Sequence, residues 1–137
     1  MKRSVGIIEL WDVAAAKALP PLEGHDAPAQ SLVYSPDGKT LAAADRAGMI
    51  TVWNVETGRE GRSFNAHNGV ITAVAFSPDG RRLVSSGVDQ TVKVWDATTG
   101  REYLALKGHT ERVNSVIFSP DGRRIASAGN DGSVKLW

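Results

Sequence analysis

Three histidines, His25, His67 and His109, are the residues of this chain best suited to bind a metal or move a proton. Ser85, His67 and Asp89 have the composition of a nucleophile–base–carboxylate set, and Ser127, His109 and Asp131 repeat it. The histidines are 42 residues apart, and tryptophan keeps the same stride at Trp11, Trp53, Trp95 and Trp137. The turn Ser-Pro-Asp-Gly keeps it too, at 35–38, 77–80 and 119–122. A period of that length marks one folding unit copied in tandem, so each histidine occupies the same place in a different unit. Repetition therefore argues against both a three-histidine metal site and a unique catalytic serine.

The units read as strands. An inner run, apolar on both faces, comes first: Val70 to Phe76 in one copy, Val113 to Phe118 in the next. Ser-Pro-Asp-Gly then reverses the chain, with Pro in the second position of a type I turn and Gly in the left-handed position after it. Second strands are expected at Leu41–Ala44, Leu83–Ser86 and Ile125–Ala128. Third strands end at Trp, and their β-branched residues alternate with Lys or Thr, as in Thr91-Val92-Lys93-Val94-Trp95. The fourth strand is the most polar, as an outer edge should be. Ala14-Ala15-Ala16-Lys17 has helix-forming composition but falls where the other copies turn, so a turn is expected there.

Gly24-His25, Ala66-His67 and Gly108-His109 precede the inner strands. Trp11-Asp12, Trp53-Asn54 and Trp95-Asp96 close the third strands. These pairs, with four strands per period, resemble the WD-repeat family of β-propellers across nearly the whole chain. Ala66 and Asn54 depart from the family's dipeptides. The resemblance implies an all-β fold: a partial array of four-stranded antiparallel blades, about three repeats long. It also implies a buried tetrad in each blade, in which an indole N–H meets a hydroxyl, the hydroxyl an imidazole, and the imidazole a carboxylate. The matching residues are His67, Ser85, Asp89 and Trp95, then His109, Ser127, Asp131 and Trp137. The first copy keeps His25 and Trp53 but has Ala43 for the hydroxyl and Ala47 for the carboxylate. That blade is expected to be looser, with the Trp53 indole bonded to water or unsatisfied.

Counting strands divides residues 1–137 into third and fourth strands (1–22), two full blades (29–65 and 70–107) and three strands of another (112–137). Such an arc is expected to meet additional blades, from the same longer chain or by self-association. The loops leading into the inner strands and the turns between second and third strands should share one face, the top. The family's binding positions there correspond to Pro28, Gln30, Arg46, Val70, Thr72, Val88, Arg112, Asn114 and Asn130. Their identities differ while the frame around them repeats, as expected if the tips choose a partner; solvated loop ends would look the same. Lys39, Arg81-Arg82 and Arg123-Arg124 follow each Ser-Pro-Asp-Gly and so share one rim of every blade, for solubility and edge protection or for a phosphate or acidic partner.

Net charge is +1, so no whole-chain field draws nucleic acid or an anionic membrane, and neither is expected as a partner. The absence of Cys excludes disulfides and thiolate metal sites. No apolar run reaches the ~20 residues of a membrane helix. Glu9 and Asp12 interrupt the apolar start, so a signal peptide is not expected. The compartment is not readable, with the cytoplasm the default expectation. No cofactor or metal is implied. The function expected from the resemblance is a non-enzymatic scaffold binding a protein or peptide through the top loops. A structural or regulatory segment of a larger protein is the alternative. A propeller hydrolase is a further one, but Asp26 and Glu111 are the only acids placed at the top loops.

Overall fold

The computed structural model describes residues 6–137; the opening residues 1–5 of the expected 1–22 segment, with the basic start of the discounted leader, lie outside the described residues. Thirteen strands and no helix make up the described chain. β1 (Gly6–Asp12) and β2 (Lys17–His25) form a hairpin. β3 (Ala29–Tyr34), β4 (Thr40–Asp45), β5 (Met49–Asn54) and β6 (Glu60–Asn65) form the first four-stranded sheet in chain order. β7 (Ile71–Phe76), β8 (Arg82–Gly87), β9 (Thr91–Asp96) and β10 (Glu102–Lys107) form the second. β11 (Val113–Phe118), β12 (Ile125–Gly129) and β13 (Val134–Leu136) form a three-stranded sheet. Every pairing is antiparallel between sequence neighbours, which makes each sheet a meander.

Local chemistry fixes the turns. In each Ser-Pro-Asp-Gly the serine hydroxyl donates to the aspartate, as from Ser35 Oγ to Asp37 Oδ1 (2.6 Å), and the same oxygen accepts the Lys39 N–H (2.9 Å). These bonds, the serine's first, hold the carboxyls of Asp37, Asp79 and Asp121 below the ordinary range. Gly38, Gly80 and Gly122 take φ of 72°, 73° and 71°, a left-handed conformation that a side chain resists. Residues 13–16 form a turn, closed by the Ala15 N–H on Asp12 Oδ1 (2.9 Å). The alanine run thus yields to its place between two pairing strands.

Sheets stack face to face, and the apolar residues of the third strands supply each contact. Ile8 and Leu10 of β1 pack with Leu41 and Trp53. Ile50 and Val52, 42 residues later, pack with Leu83 and Trp95. Val92 and Val94 pack with Ile125 and Trp137. Trp53, Trp95 and Trp137 thus each pack against the sheet before their own. Val92 and Val94 are 0% and 1% exposed, whereas their equivalents Val134 and Leu136 are 72% and 69% exposed. Trp11 is likewise 59% exposed, and Trp53 is fully buried. The inner strands β3, β7 and β11 lie side by side, and hydrogen bonds cross between them: Thr72 Oγ1 donates to the Val113 carbonyl (2.6 Å) and the Val74 N–H donates to Ser31 Oγ (3.3 Å).

Burial at equivalent positions sets unequal costs. Val92→Ala should lower the free energy of unfolding by about 2 kcal/mol, and Val134→Ala by less than about 0.5 kcal/mol. Urea denaturation followed by tryptophan fluorescence measures both.

Candidate functional site

Two sheets each hold a connected polar network within their cores. The Trp95 indole N–H donates to Ser85 Oγ (2.9 Å), and Ser85 Oγ lies 2.7 Å from His67 Nε2. His67 Nδ1 lies 3.0 Å from both oxygens of Asp89. Because the carboxylate can only accept, the proton sits on Nδ1 and the serine hydroxyl donates to Nε2. Asp89 also accepts from the Thr91 hydroxyl (2.8 Å) and the Asn68 N–H (3.1 Å). Trp137, Ser127, His109 and Asp131 repeat the arrangement at 2.9, 2.8 and 2.9 Å, with Ser133 in the place of Thr91. Ser85 and Ser127 are buried, and each oxygen is held between an indole and an imidazole. Neither hydroxyl is open to attack a substrate.

Electrostatics follows from burial. Desolvation pushes the His67 imidazole below its ordinary value, against the pull of Asp89, so the ring is neutral at pH 7. Burial by itself would raise the Asp89 carboxyl, but the bonds from His67 and Thr91 bring it below the ordinary range. Asp131 is lowered further, first by the Ser133 hydroxyl and then by the N–H groups of Thr110 and Ser133.

The first sheet differs from the sequence expectation. The Trp53 indole is neither unsatisfied nor left to water: it donates to the Glu23 carbonyl at 2.9 Å. That carbonyl, on β2, replaces the hydroxyl missing at Ala43. A main-chain acceptor leaves no mark in a side-chain pattern, so the sequence could not announce it. His25 is buried beside the indole (ring centroids 5.5 Å apart), and its Nε2 has no partner among the described residues. Asp45 was also missed. Its Oδ1 accepts the N–H groups of Ala47 (2.8 Å) and Met49 (2.9 Å) and so closes the turn, as Asp89 does through the Thr91 N–H (3.2 Å). Asp45 stands 42 residues before Gly87, where an added Cβ would lie 2.8 Å from His67 Nδ1 and 2.9 Å from Asp89 Oδ1. Gly129 is equally tight, at 2.7 Å from His109 Nδ1. Glycine at this position leaves room for the imidazole–carboxylate pair, and Asp45 sits where no carboxylate follows two residues on. Comparing copies at the 42-residue stride would have revealed the exchange.

The top is built on a second repeating frame. The Arg46 N–H donates to the Pro28 carbonyl (3.2 Å), Val88 to Val70 (3.0 Å), and Asn130 to Arg112 (2.9 Å). Each bond joins the loop entering an inner strand to the turn after its neighbour. Two residues further, each inner strand bulges: the register with the second strand shifts between Ala29 and Ser31, Ile71 and Ala73, and Val113 and Ser115. The unpaired residues are Gln30, Thr72 and Asn114. A bulge frees one residue from the ladder and re-aims its side chain. The structure brings Gln30, Arg46, Val70, Thr72, Val88, Arg112 and Asn114 together around one cleft of about 400 Å³ that spans three sheets. Pro28 and Asn130 do not line it but are joined to residues that do, through the backbone bonds and through Asn114 Nδ2, which donates to Asn130 Oδ1 (2.6 Å). Among the described residues no three His, Cys, Asp or Glu side chains cluster as a metal site, and the three histidines lie in separate sheets or loops.

Two measurements follow from the networks. Ser85→Ala strands a buried indole donor and an imidazole acceptor and should cost about 2 kcal/mol, whereas Ala43→Ser offers His25 Nε2 a donor and should add about 1 kcal/mol. Equilibrium urea unfolding reads both. Acid should weaken the fold in two stages. Below the ordinary value of 6.5 an unfolded imidazole takes a proton that folded His67 refuses. Below 3.8 the unfolded carboxyls take protons that Asp89 and Asp131 refuse. Unfolding midpoints between pH 8 and pH 3 should fall through both ranges, and the upper stage should shrink in His67→Gln.

No curated protein matches the chain. Two family models do. The WD40 model, described as "WD domain, G-beta repeat", matches residues 58–96 and 100–137. A model described as "Anaphase-promoting complex subunit 4 WD40 domain" matches residues 7–72. WD40 families are typically non-enzymatic scaffolds that mediate protein–protein interaction. With tandem antiparallel sheets, a Trp in each and WD40 matches over more than half of its length, the chain belongs to the WD-repeat family.

Proposed function

We propose that this chain is a scaffold segment, without catalytic activity of its own, that binds a protein or peptide through the top cleft. Residues 1–137 act in this reading as one propeller segment, and the two tetrads hold blades rigid rather than react. The observation that carries it is that seven of the nine positions expected to meet a partner line a single cleft. Backbone bonds at a 42-residue stride hold the three tips in equivalent places, while the side chains they present differ from tip to tip. A rigid frame with variable tips lowers the ordering cost of binding and leaves specificity to a few side chains. The family's typical role points the same way. Fold alone does not assign function, so the cleft must be tested directly.

A random peptide library displayed on phage and selected against the full chain is the experiment. Enriched peptides should lose binding to Val88→Glu, which alters the cleft lining, and should keep it for Lys107→Glu on the outer strand β10. Peptides indifferent to Val88→Glu would overturn the reading.

A further inference from the structure

We propose that the cleft takes an acidic peptide segment, with a carboxylate on either side of an apolar residue; this rests on the binding reading above. Among the described residues the wall carries two arginines and no acid. Arg46 follows β4 of the first four-stranded sheet and Arg112 leads into β11 of the three-stranded one, and β7 lies beside both β3 and β11, so they flank the tip of the sheet between them. That middle tip presents Val70 and Val88, both half-buried. Positive, apolar, positive is therefore the order across the cleft.

The two guanidinium groups are oriented and unneutralised. Arg46 Nε donates to Gln30 Oε1 (3.2 Å) and Arg112 Nε donates to Asn114 Oδ1 (2.9 Å). Each amide oxygen holds one edge of its guanidinium and leaves the terminal nitrogens for an end-on pair with a carboxylate. No salt bridge involves either arginine among the described residues. Glu111, adjacent to Arg112 in sequence, does not line the cleft. The opposite rim shows the contrast: Arg81 and Arg82 share their hollow with Asp79 and Asp121, so charge is balanced there from within. At the top it is left for a partner to balance, and arginine is a favoured hot-spot residue at interfaces.

Carboxylates fit this arrangement better than other anions. One guanidinium stands on each side, and one fork matches one carboxylate. A phosphate dianion is best met by cations clustered on one point. A nucleic acid strand would want aromatic side chains on which to stack its bases, and none lines the cleft.

The test uses fluorescein-labelled peptides with two glutamates separated by one to four residues including valine, and matched peptides with glutamine in place of glutamate. Fluorescence polarisation with the full chain should show at least one glutamate peptide binding tenfold or more tightly than its glutamine match. Arg46→Gln and Arg112→Gln, both at exposed positions, should each weaken it five- to tenfold and flatten its salt dependence, with melting temperature unchanged. Glutamine peptides that bind equally well, and are lost in Val88→Glu, would overturn the charge inference and leave the binding reading standing. Preference for phosphoserine over glutamate would overturn the commitment to carboxylates. No binding by either series would overturn the inference, while the display selection judges the cleft independently.

Discussion

An indole N–H carried into a dry contact between two sheets must find an acceptor there. The cost of leaving it without one is comparable to a substantial fraction of a domain's stability. Trp53, Trp95 and Trp137 each meet this constraint while covering the sheet before their own, so one side chain both fills the inter-sheet space and demands a polar device inside it. Trp95 and Trp137 use a serine backed by an imidazole and a carboxylate. Trp53 uses a carbonyl lent by the preceding hairpin. The second solution ties two sheets together directly, where the first is completed within one sheet and the loop leading into it.

The polar devices also place the loops. Asp89 and Asp131 accept N–H groups from Asn68 and Thr110, just before the inner strands, and from Thr91 and Ser133, just after the turn that follows the second strand. The same carboxylate thus connects the buried indole to the two segments that make the top. The cleft inherits its geometry from the core through this link. Variation at Arg46, Val88 and Asn130 is affordable because their backbone positions are fixed by bonds that do not depend on side-chain identity.

Much of this was legible beforehand. A recurring Trp, a recurring Ser-Pro-Asp-Gly and strands of alternating polarity are local signals, and residues 42 apart do occupy matching places. The alanines at 14–16 turn rather than coil because their neighbours pair with each other. What escaped was carried by atoms without a sequence signature or by exchanges between positions. The Glu23 carbonyl is main chain. Asp45 went unassigned in the sequence, and its turn-closing bonds match that of Asp89. The amide partners of Arg46 and Arg112 needed coordinates, because the bulges that aim Gln30 and Asn114 depend on strand register rather than residue type.

The crowding at Gly87 and Gly129 constrains how such a chain can drift after its unit is duplicated. A blade of the tetrad kind cannot first acquire an aspartate at the glycine, because the new side chain would strike the imidazole and carboxylate already there. Nor can it first give up the later carboxylate without loosening the turn that carboxylate closes. Passage between the two blade types therefore needs a compensated double step or a temporarily weakened intermediate. Neighbouring blades can share the load of such an intermediate, because in a stacked array each sheet is also held by the ones beside it. Tandem architecture in this way opens mutational routes that an isolated blade would find closed.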